Sequence, residues 1–347
     1  MKAAVFEGNG KLVLQERPEP KIEKSIDVLV RVTGVGICGT DLHILQVPPA
    51  HPARKGIILG HEFSGEIVEI GSDIQEFKSG DRVLIDPHPG CGQCPACRQG
   101  LPDQCIPLIK ASGEPGHPAT IGIFSNGAMA PYAVVPSTSL YKVSRNVPAH
   151  IAALAEPFSC VVCASDKVKV QPGNSVVILG AGPIGLMFTT LLKSNGASKV
   201  IVSEPSALRR QAASQCGATR VVNPLEEDIE KVVKSETGKG ADVVVEAVGP
   251  LLPLTLKLVR FGGTILQFGH DELARPPIPV GDIVRYEITI HGAFIGRFSF
   301  QKVAAILESG TLPLENIISH RMPLSEVHKG IELLRKGEAI KVILHPE

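Results

Sequence analysis

Hydrophobic and polar positions change their rhythm once along this chain, near residue 150. Before that point short apolar runs predominate: Lys2 to Phe6, Lys11 to Leu14, Ile26 to Thr33, Gly65 to Ile70, Asp81 to Ile85 and Tyr132 to Pro136. Gly, Pro, Asn or Asp separates them, the punctuation expected between strands. From Ile26 the alternation is regular, with Ile26, Val28, Val30 and Val32 on one face and Asp27, Leu29 and Arg31 on the other. That is the pattern of a half-buried antiparallel sheet. After His150 the runs Ser175 to Leu179, Lys199 to Ser203, Asp242 to Glu246 and Gly263 to Phe268 are continuously apolar. Helical spacing separates them, as over Pro183 to Asn195 and Ser206 to Cys216. Strand and helix in alternation predict a doubly wound parallel sheet, an α/β fold. Ser299 to Ser309 and Leu324 to Lys336 read as late helices, and Lys341 to Leu344 as a closing strand. Residues 115 to 141 carry no charge, but Pro, Ser, Asn and Gly punctuate them, so they read as folded loop and strand.

Length and composition bound the rest. At about 150 residues per domain, 347 residues make two domains. With 44% hydrophobic and 20% charged residues the chain is not wholly disordered, and without Trp its core is built from Val, Ile, Leu and Ala. Thirty-five basic residues against 35 acidic leave no surplus to neutralise phosphates, which argues against a nucleic-acid partner. Gln171 to Leu192 is uncharged and long enough to span a bilayer. Pro172, Gly173, Gly180, Gly182, Pro183 and Gly185 break it into strand, turn and helix, so no membrane is expected. The N-terminus has no apolar stretch of signal-peptide length. The expected compartment is the cytoplasm, where eight cysteines suit metal or thiol chemistry better than disulfides.

Gly180-Ala181-Gly182-Pro183-Ile184-Gly185 is a G-x-G-x-x-G run. Its context, an apolar strand before and a helical pattern after, makes it a dinucleotide turn. Gly180 permits the tight turn, Gly182 admits the pyrophosphate, and Gly185 lets helix pack on strand. The helix N-terminus that opens at Pro183 and Ile184 supplies free N–H groups for phosphates. Glu204, nineteen residues after Gly185, is placed to bind ribose hydroxyls and repel a 2′-phosphate. Arg209 and Arg210 lie nearby; either could accept an NADP phosphate, or both could lie on a solvated helix face. Glu204 favours NAD over NADP.

Cys91, Cys94, Cys97 and Cys105 form C-x2-C-x2-C-x7-C. Four thiolates so spaced suit a closed, tetrahedral structural zinc. The iron–sulfur run ends in x3-C-P, which this loop does not, and a disulfide pair conflicts with the compartment. Cys38 in GVGICGTD, His61 and Glu62 in LGHEFSGE, and Glu156 in ALAEPFSC are individually weak signals. A lone Cys is more often a small core hydrophobe. Together they offer the ligand types of a catalytic zinc with an open position. Cys160, Cys163 and Cys216 have no such company.

With these residues in view the chain resembles the zinc-dependent medium-chain alcohol and polyol dehydrogenases over its whole length. The signature G-H-E-x2-G-x5-G-x2-hydrophobic is met by Gly60, His61, Glu62, Gly65, Gly71 and Ile74. Cys38-Gly39-Thr40-Asp41, the four-cysteine loop and the GAGPIG turn match the family's other motifs. The resemblance implies a GroES-like β-rich catalytic domain (1–150 and 297–347, with a zinc lobe at about 88–106) and a Rossmann domain (151–296). It implies two zinc ions per chain and an active site in the cleft between domains. Cys38 and His61 would hold the catalytic zinc, with Glu62 or Glu156 completing the shell. Glu156 stands where alcohol dehydrogenases of another branch carry a second cysteine; sorbitol and threonine dehydrogenases are acidic there.

The implied reaction moves a hydride from an alcohol carbon to the nicotinamide, while Thr40 and His43 pass the alcohol proton to solvent. Read without the resemblance, His43 is an exposed loop histidine. Arg297 falls where this branch often carries a cleft arginine able to bind hydroxyls or a carboxylate; a surface arginine is the plain alternative. Arg54 and Lys55 would suit an acidic sugar, or simply water. The expected substrate is a small secondary alcohol of a polyol or sugar derivative, with threonine second. A non-catalytic nucleotide-binding protein of the same family is the reading from another class; intact Cys38 and His61 weigh against it. Relatives imply a homodimer or homotetramer.

Overall fold

A computed structural model describes residues 1–346. It falls into two units: 1–159, 297–310 and 318–347 form one, and 160–296 with 311–317 form the other. The chain thus returns to its first unit at Arg297. Residues 151–159, which the sequence reading gives to the Rossmann domain, lie in the first unit, and Glu156 with them.

The second unit is a six-stranded parallel sheet. Its order runs Arg220–Val222, Lys199–Ser203, Ser175–Leu179, Ala241–Glu246, Val259–Gln267, Thr289–Gly292. In sequence rank this is 3-2-1-4-5-6, the doubly wound order whose ligand crevice lies where the winding reverses. The reversal falls between Ser175–Leu179 and Ala241–Glu246. Val176, Val177 and Ile178 are fully buried, as a parallel strand covered on both faces requires. Each such side chain contributes roughly 1.5–3 kcal/mol on leaving water. The expected helix ends hold closely: Pro183–Ser194 begins on its proline, and Ala207–Gln215 is capped by Ser206, which accepts from the Arg209 N–H. The strands Arg220–Val222 and Thr289–Gly292 have no counterpart in the sequence reading. Three and four residues are too few for a period to show.

The first unit contains the hairpin Lys2–Gly8/Lys11–Glu16 and a seven-stranded sheet. In that sheet Asp27–Gly36 pairs with Glu62–Ile70, Tyr132–Pro136 and the C-terminal Val342–His345. Val28, Val30 and Val32 are buried and Arg31 is exposed, as the alternation requires. Ile26 is an exception: it precedes the strand and is 44% exposed. The pairing with Glu62–Ile70 slips between Val32 and Gly34. This bulge shifts the face, so Gly34, Val35 and Gly36 are all buried. Bulges re-aim side chains, and this one delivers the chain to Cys38. No helix among the described residues is long and apolar enough to cross a membrane.

Candidate active site

Strand register assembles the first cluster. Gly36 lies opposite Glu62 in the antiparallel pair, so Cys38, two residues beyond, and His61, one before, converge. Ligand atoms of Cys38, His61 and Glu62 lie within 4.8 Å of one another. His61 and Glu62 are 4% and 1% exposed, and Glu156, in the first turn of Ala155–Val168, is 7% exposed. A Cβ on Gly36 would run into the Glu62 carboxylate and displace it from its present place.

Cys38 caps the helix Gly39–Ile44, and the Asp41 carboxylate accepts its N–H at 2.9 Å. The other Asp41 oxygen lies 3.8 Å from His61 Nδ1, and both atoms are buried without a hydrogen-bond partner. A carboxylate behind a histidine is the support that metal-bound imidazoles use. Asp41 is absent from the sequence-derived site, although CGTD contained it. Burial raises the Asp41 pKa, with the His61 charge opposing. Burial depresses the His61 imidazole, but the Cys38 thiolate and the Asp41 carboxylate outweigh it and hold the pKa well above the usual value. Burial and then the Glu62 charge push Glu156 up to about 7. Closely spaced, buried donors of soft sulfur, imidazole and carboxylate type fit a divalent metal. Thr40, half-buried, and His43, exposed, share the helix that starts after Cys38.

The four cysteine sulfurs form a second set within 4.8 Å, and all eight cysteines are free thiols. Cys97 and Cys105 are buried, Cys94 is half-buried and Cys91 is exposed. The Cys94 N–H donates to the Cys91 sulfur at 3.3 Å. The Cys97 amide pulls the Cys94 thiol down to about 6, while burial pushes Cys105 up to about 12. This donor set fits zinc. Beside it, Arg297 is committed: Nε lies 2.6 Å from Asp103 Oδ1, and Nη2 donates to Oδ2 at 2.8 Å.

In the second unit the glycine turn closes the strand Ser175–Leu179 at the winding reversal. Gly180 has φ +94°, and a Cβ on Gly185 would collide with its carbonyl. A Cβ on Gly182 would meet nothing within 4 Å. The chain itself therefore does not need that glycine, which leaves a cradle of the kind a pyrophosphate fills. Glu204 is 4% exposed; one oxygen accepts the Ala181 N–H at 2.8 Å and the other the Ser206 N–H at 2.9 Å. It braces the turn from the end of the second strand. Arg210 donates to the Glu204 and Pro205 carbonyls, and Arg209 Nε is buried without a partner.

A thiol–imidazole–carboxylate cluster, a four-cysteine lobe and a glycine turn at the winding reversal are the donor sets and the turn that a zinc- and nicotinamide-dependent oxidoreductase needs. Residues 24–145 match the alcohol dehydrogenase GroES-like domain and residues 183–309 the zinc-binding dehydrogenase family. The L-threonine 3-dehydrogenase of Caldanaerobacter subterraneus subsp. tengcongensis is 37% identical, covering 94% of this chain and 93% of its own. The sorbitol dehydrogenase of Bacillus subtilis is 33% identical, covering 100% and 97%. An alcohol dehydrogenase of Thermus sp. ATN1 superposes with a TM-score of 0.91 at 33% identity, covering 100% of both chains. Similar solved chains are bound to NADP or complexed with NADH. The chain belongs to the zinc-dependent medium-chain alcohol dehydrogenases, and it is an enzyme using zinc and NAD(P). The non-catalytic alternative falls away.

Proposed function

We propose that the enzyme oxidises a secondary alcohol of a polyol or sugar derivative with NAD, as a sorbitol dehydrogenase does. The observation that carries this substrate class is the pairing of Arg297 with Asp103. The guanidinium charge is already compensated by the buried Asp103 carboxylate, which disfavours a substrate carboxylate there. Oxidation of threonine is the second reading, favoured by the 37% identity to an L-threonine 3-dehydrogenase.

In this reading Cys38, His61 and either Glu62 or Glu156 hold the catalytic metal, and Cys91, Cys94, Cys97 and Cys105 the structural one. Bound there, zinc would supply a Lewis acid that lowers the pKa of the substrate hydroxyl, and the dinucleotide would supply the acceptor for the carbinol hydrogen as hydride. Thr40 accepts the alcohol proton and His43, on the exposed side of the same helix, passes it to water. Gly180, Gly182, Pro183, Ile184 and Gly185 cradle the phosphates. Glu204 binds the ribose hydroxyls with the lone pairs that its two backbone contacts leave free, and Arg209 borders that site. The enzyme works in the cytoplasm as a homodimer or homotetramer on a small molecule. Reduction of NAD+ and NADP+ across polyols, sugar acids, sugar phosphates and threonine tests this. A polyol with NAD+ should be fastest; threonine as the best substrate establishes the second reading, and no reduction by any alcohol refutes both.

A further inference from the structure

Lys341 is 2% exposed, one residue before the closing strand Val342–His345. Its Nζ donates to the Ile37 carbonyl at 3.1 Å and to the Glu62 carboxylate. Ile37 directly precedes Cys38, and Glu62 directly follows His61. One ammonium from the C-terminal segment therefore ties together the two segments that carry the metal donors, 304 and 279 positions away. Gly36 admits it: a Cβ there would lie 3.0 Å from Lys341 Cε and 3.1 Å from Nζ.

Burying an ammonium costs several kcal/mol unless its partners are well placed. Here the surroundings are acidic. The carboxylates of Glu62 and Glu156 and the Cys38 thiolate all act to hold the ammonium charged, against its burial. A fully buried charge spanning two ligand segments is more than a way to close the sheet, which the backbone pairing of Ile343 with Gly36 and Leu344 with Val35 already does.

We propose that Lys341 is a positioning residue of the metal centre. It fixes the Glu62 carboxylate and the turn into Cys38 in one arrangement, so the chain, and not the metal alone, sets where Glu62 stands. The proposal rests on the reading of Cys38, His61 and Glu62 as the metal centre.

The test compares the parent with K341M, K341R, E62Q and the double variant E62Q/K341M, each loaded with zinc or with Co2+. Metal content, the rate of metal loss to a chelator and the visible Co2+ spectrum are read. K341M should keep the four-cysteine metal but lose the other about tenfold faster or more, the usual effect of removing a group behind a metal ligand. Its Co2+ bands should shift, and K341R should restore most of both effects. In the E62Q background K341M should have a smaller effect than in the parent, because only the tie to the Ile37 carbonyl is then left to lose; an equal effect in both backgrounds overturns the part assigned to Glu62. If K341M loses the four-cysteine metal as well, the double variant should recover it, since both buried charges are then gone; a double variant that does not recover it overturns the proposal. Parent-like metal loss and an unshifted Co2+ spectrum in K341M overturn it too. Failure of the metal-centre reading itself looks different: the parent would hold only the four-cysteine metal.

Discussion

Asp103 and Arg297 stand 194 positions apart in sequence and meet through two contacts of 2.6 and 2.8 Å. The Asp103 side chain is 1% exposed and that of Arg297 29%. The pair pins the cysteine lobe, two residues before Cys105, to the start of the segment by which the chain re-enters its first unit. Replacing Arg297 by Ala leaves a buried carboxylate uncompensated, at a cost of about 3 kcal/mol. R297A should therefore unfold at lower denaturant and release the four-cysteine zinc more readily. If R297A keeps its stability and its lobe zinc and only KM for the polyol rises, the arginine serves the substrate alone.

The glycine turn offers a cleaner separation of fold from function. G182A places its Cβ in open space and G185A against a carbonyl. We expect G182A to melt with the parent but to bind NAD at least about tenfold more weakly, a loss of roughly 1.4 kcal/mol. G185A should be destabilised outright. Calorimetric binding and thermal unfolding of the two variants check this, and a G182A enzyme with parental NAD affinity would falsify the cradle.

Asp86 directly follows the strand Arg82–Ile85 at 9% exposure and accepts the His88 N–H at 2.8 Å. Burial raises its pKa to about 6. Because the folded value exceeds the unfolded one, the native state holds the extra proton. Asp86 then costs nothing at low pH and becomes destabilising as pH rises from about 4 to 6. D86N, which keeps the acceptor but not the charge, should match the parent near the bottom of that range and exceed it above the top by about 3 kcal/mol. Urea midpoints across the range measure the difference; a gain independent of pH would contradict it.

Thiol reactivity should follow burial. Cys216 is 1% exposed and its pKa is pushed up to about 12 by burial, so alkylation should spare it until the protein unfolds. Cys91 is exposed and its thiol is held below its usual value by the Gln93 and Cys94 amides. It should be protected by zinc, and once a chelator removes the metal it and Cys94, whose thiol is held at about 6, should be the fastest to react. Mass spectrometry of the alkylated chain distinguishes the two.

Much of this was legible because the signals are local. The strands Ser175–Leu179, Lys199–Ser203 and Tyr132–Pro136 are contiguous apolar or alternating runs, and the zinc lobe and glycine turn are complete within fifteen and six residues. What escaped depends on distance in sequence. Lys341 is one lysine in a closing strand until the sheet sets that strand beside Asp27–Gly36. Asp103 and Arg297 each look like surface charges until the chain re-enters its first unit. Ile26 misled because alternation cannot show where a strand begins. Glu204 was expected to face only a ribose, and no pattern announces that its carboxylate also holds the Ala181 and Ser206 amides.

The central claim is that Cys38, His61 and a neighbouring carboxylate hold a removable metal that the alcohol oxidation requires, separate from the metal of the cysteine lobe. Zinc content and NADH formation, measured together on the parent and on C38S, test it most directly. The account predicts two zinc ions per chain in the parent, and one zinc, an unchanged fold and no NADH formation in C38S. A C38S protein that keeps both metals and reduces NAD+ at the parental rate would contradict it.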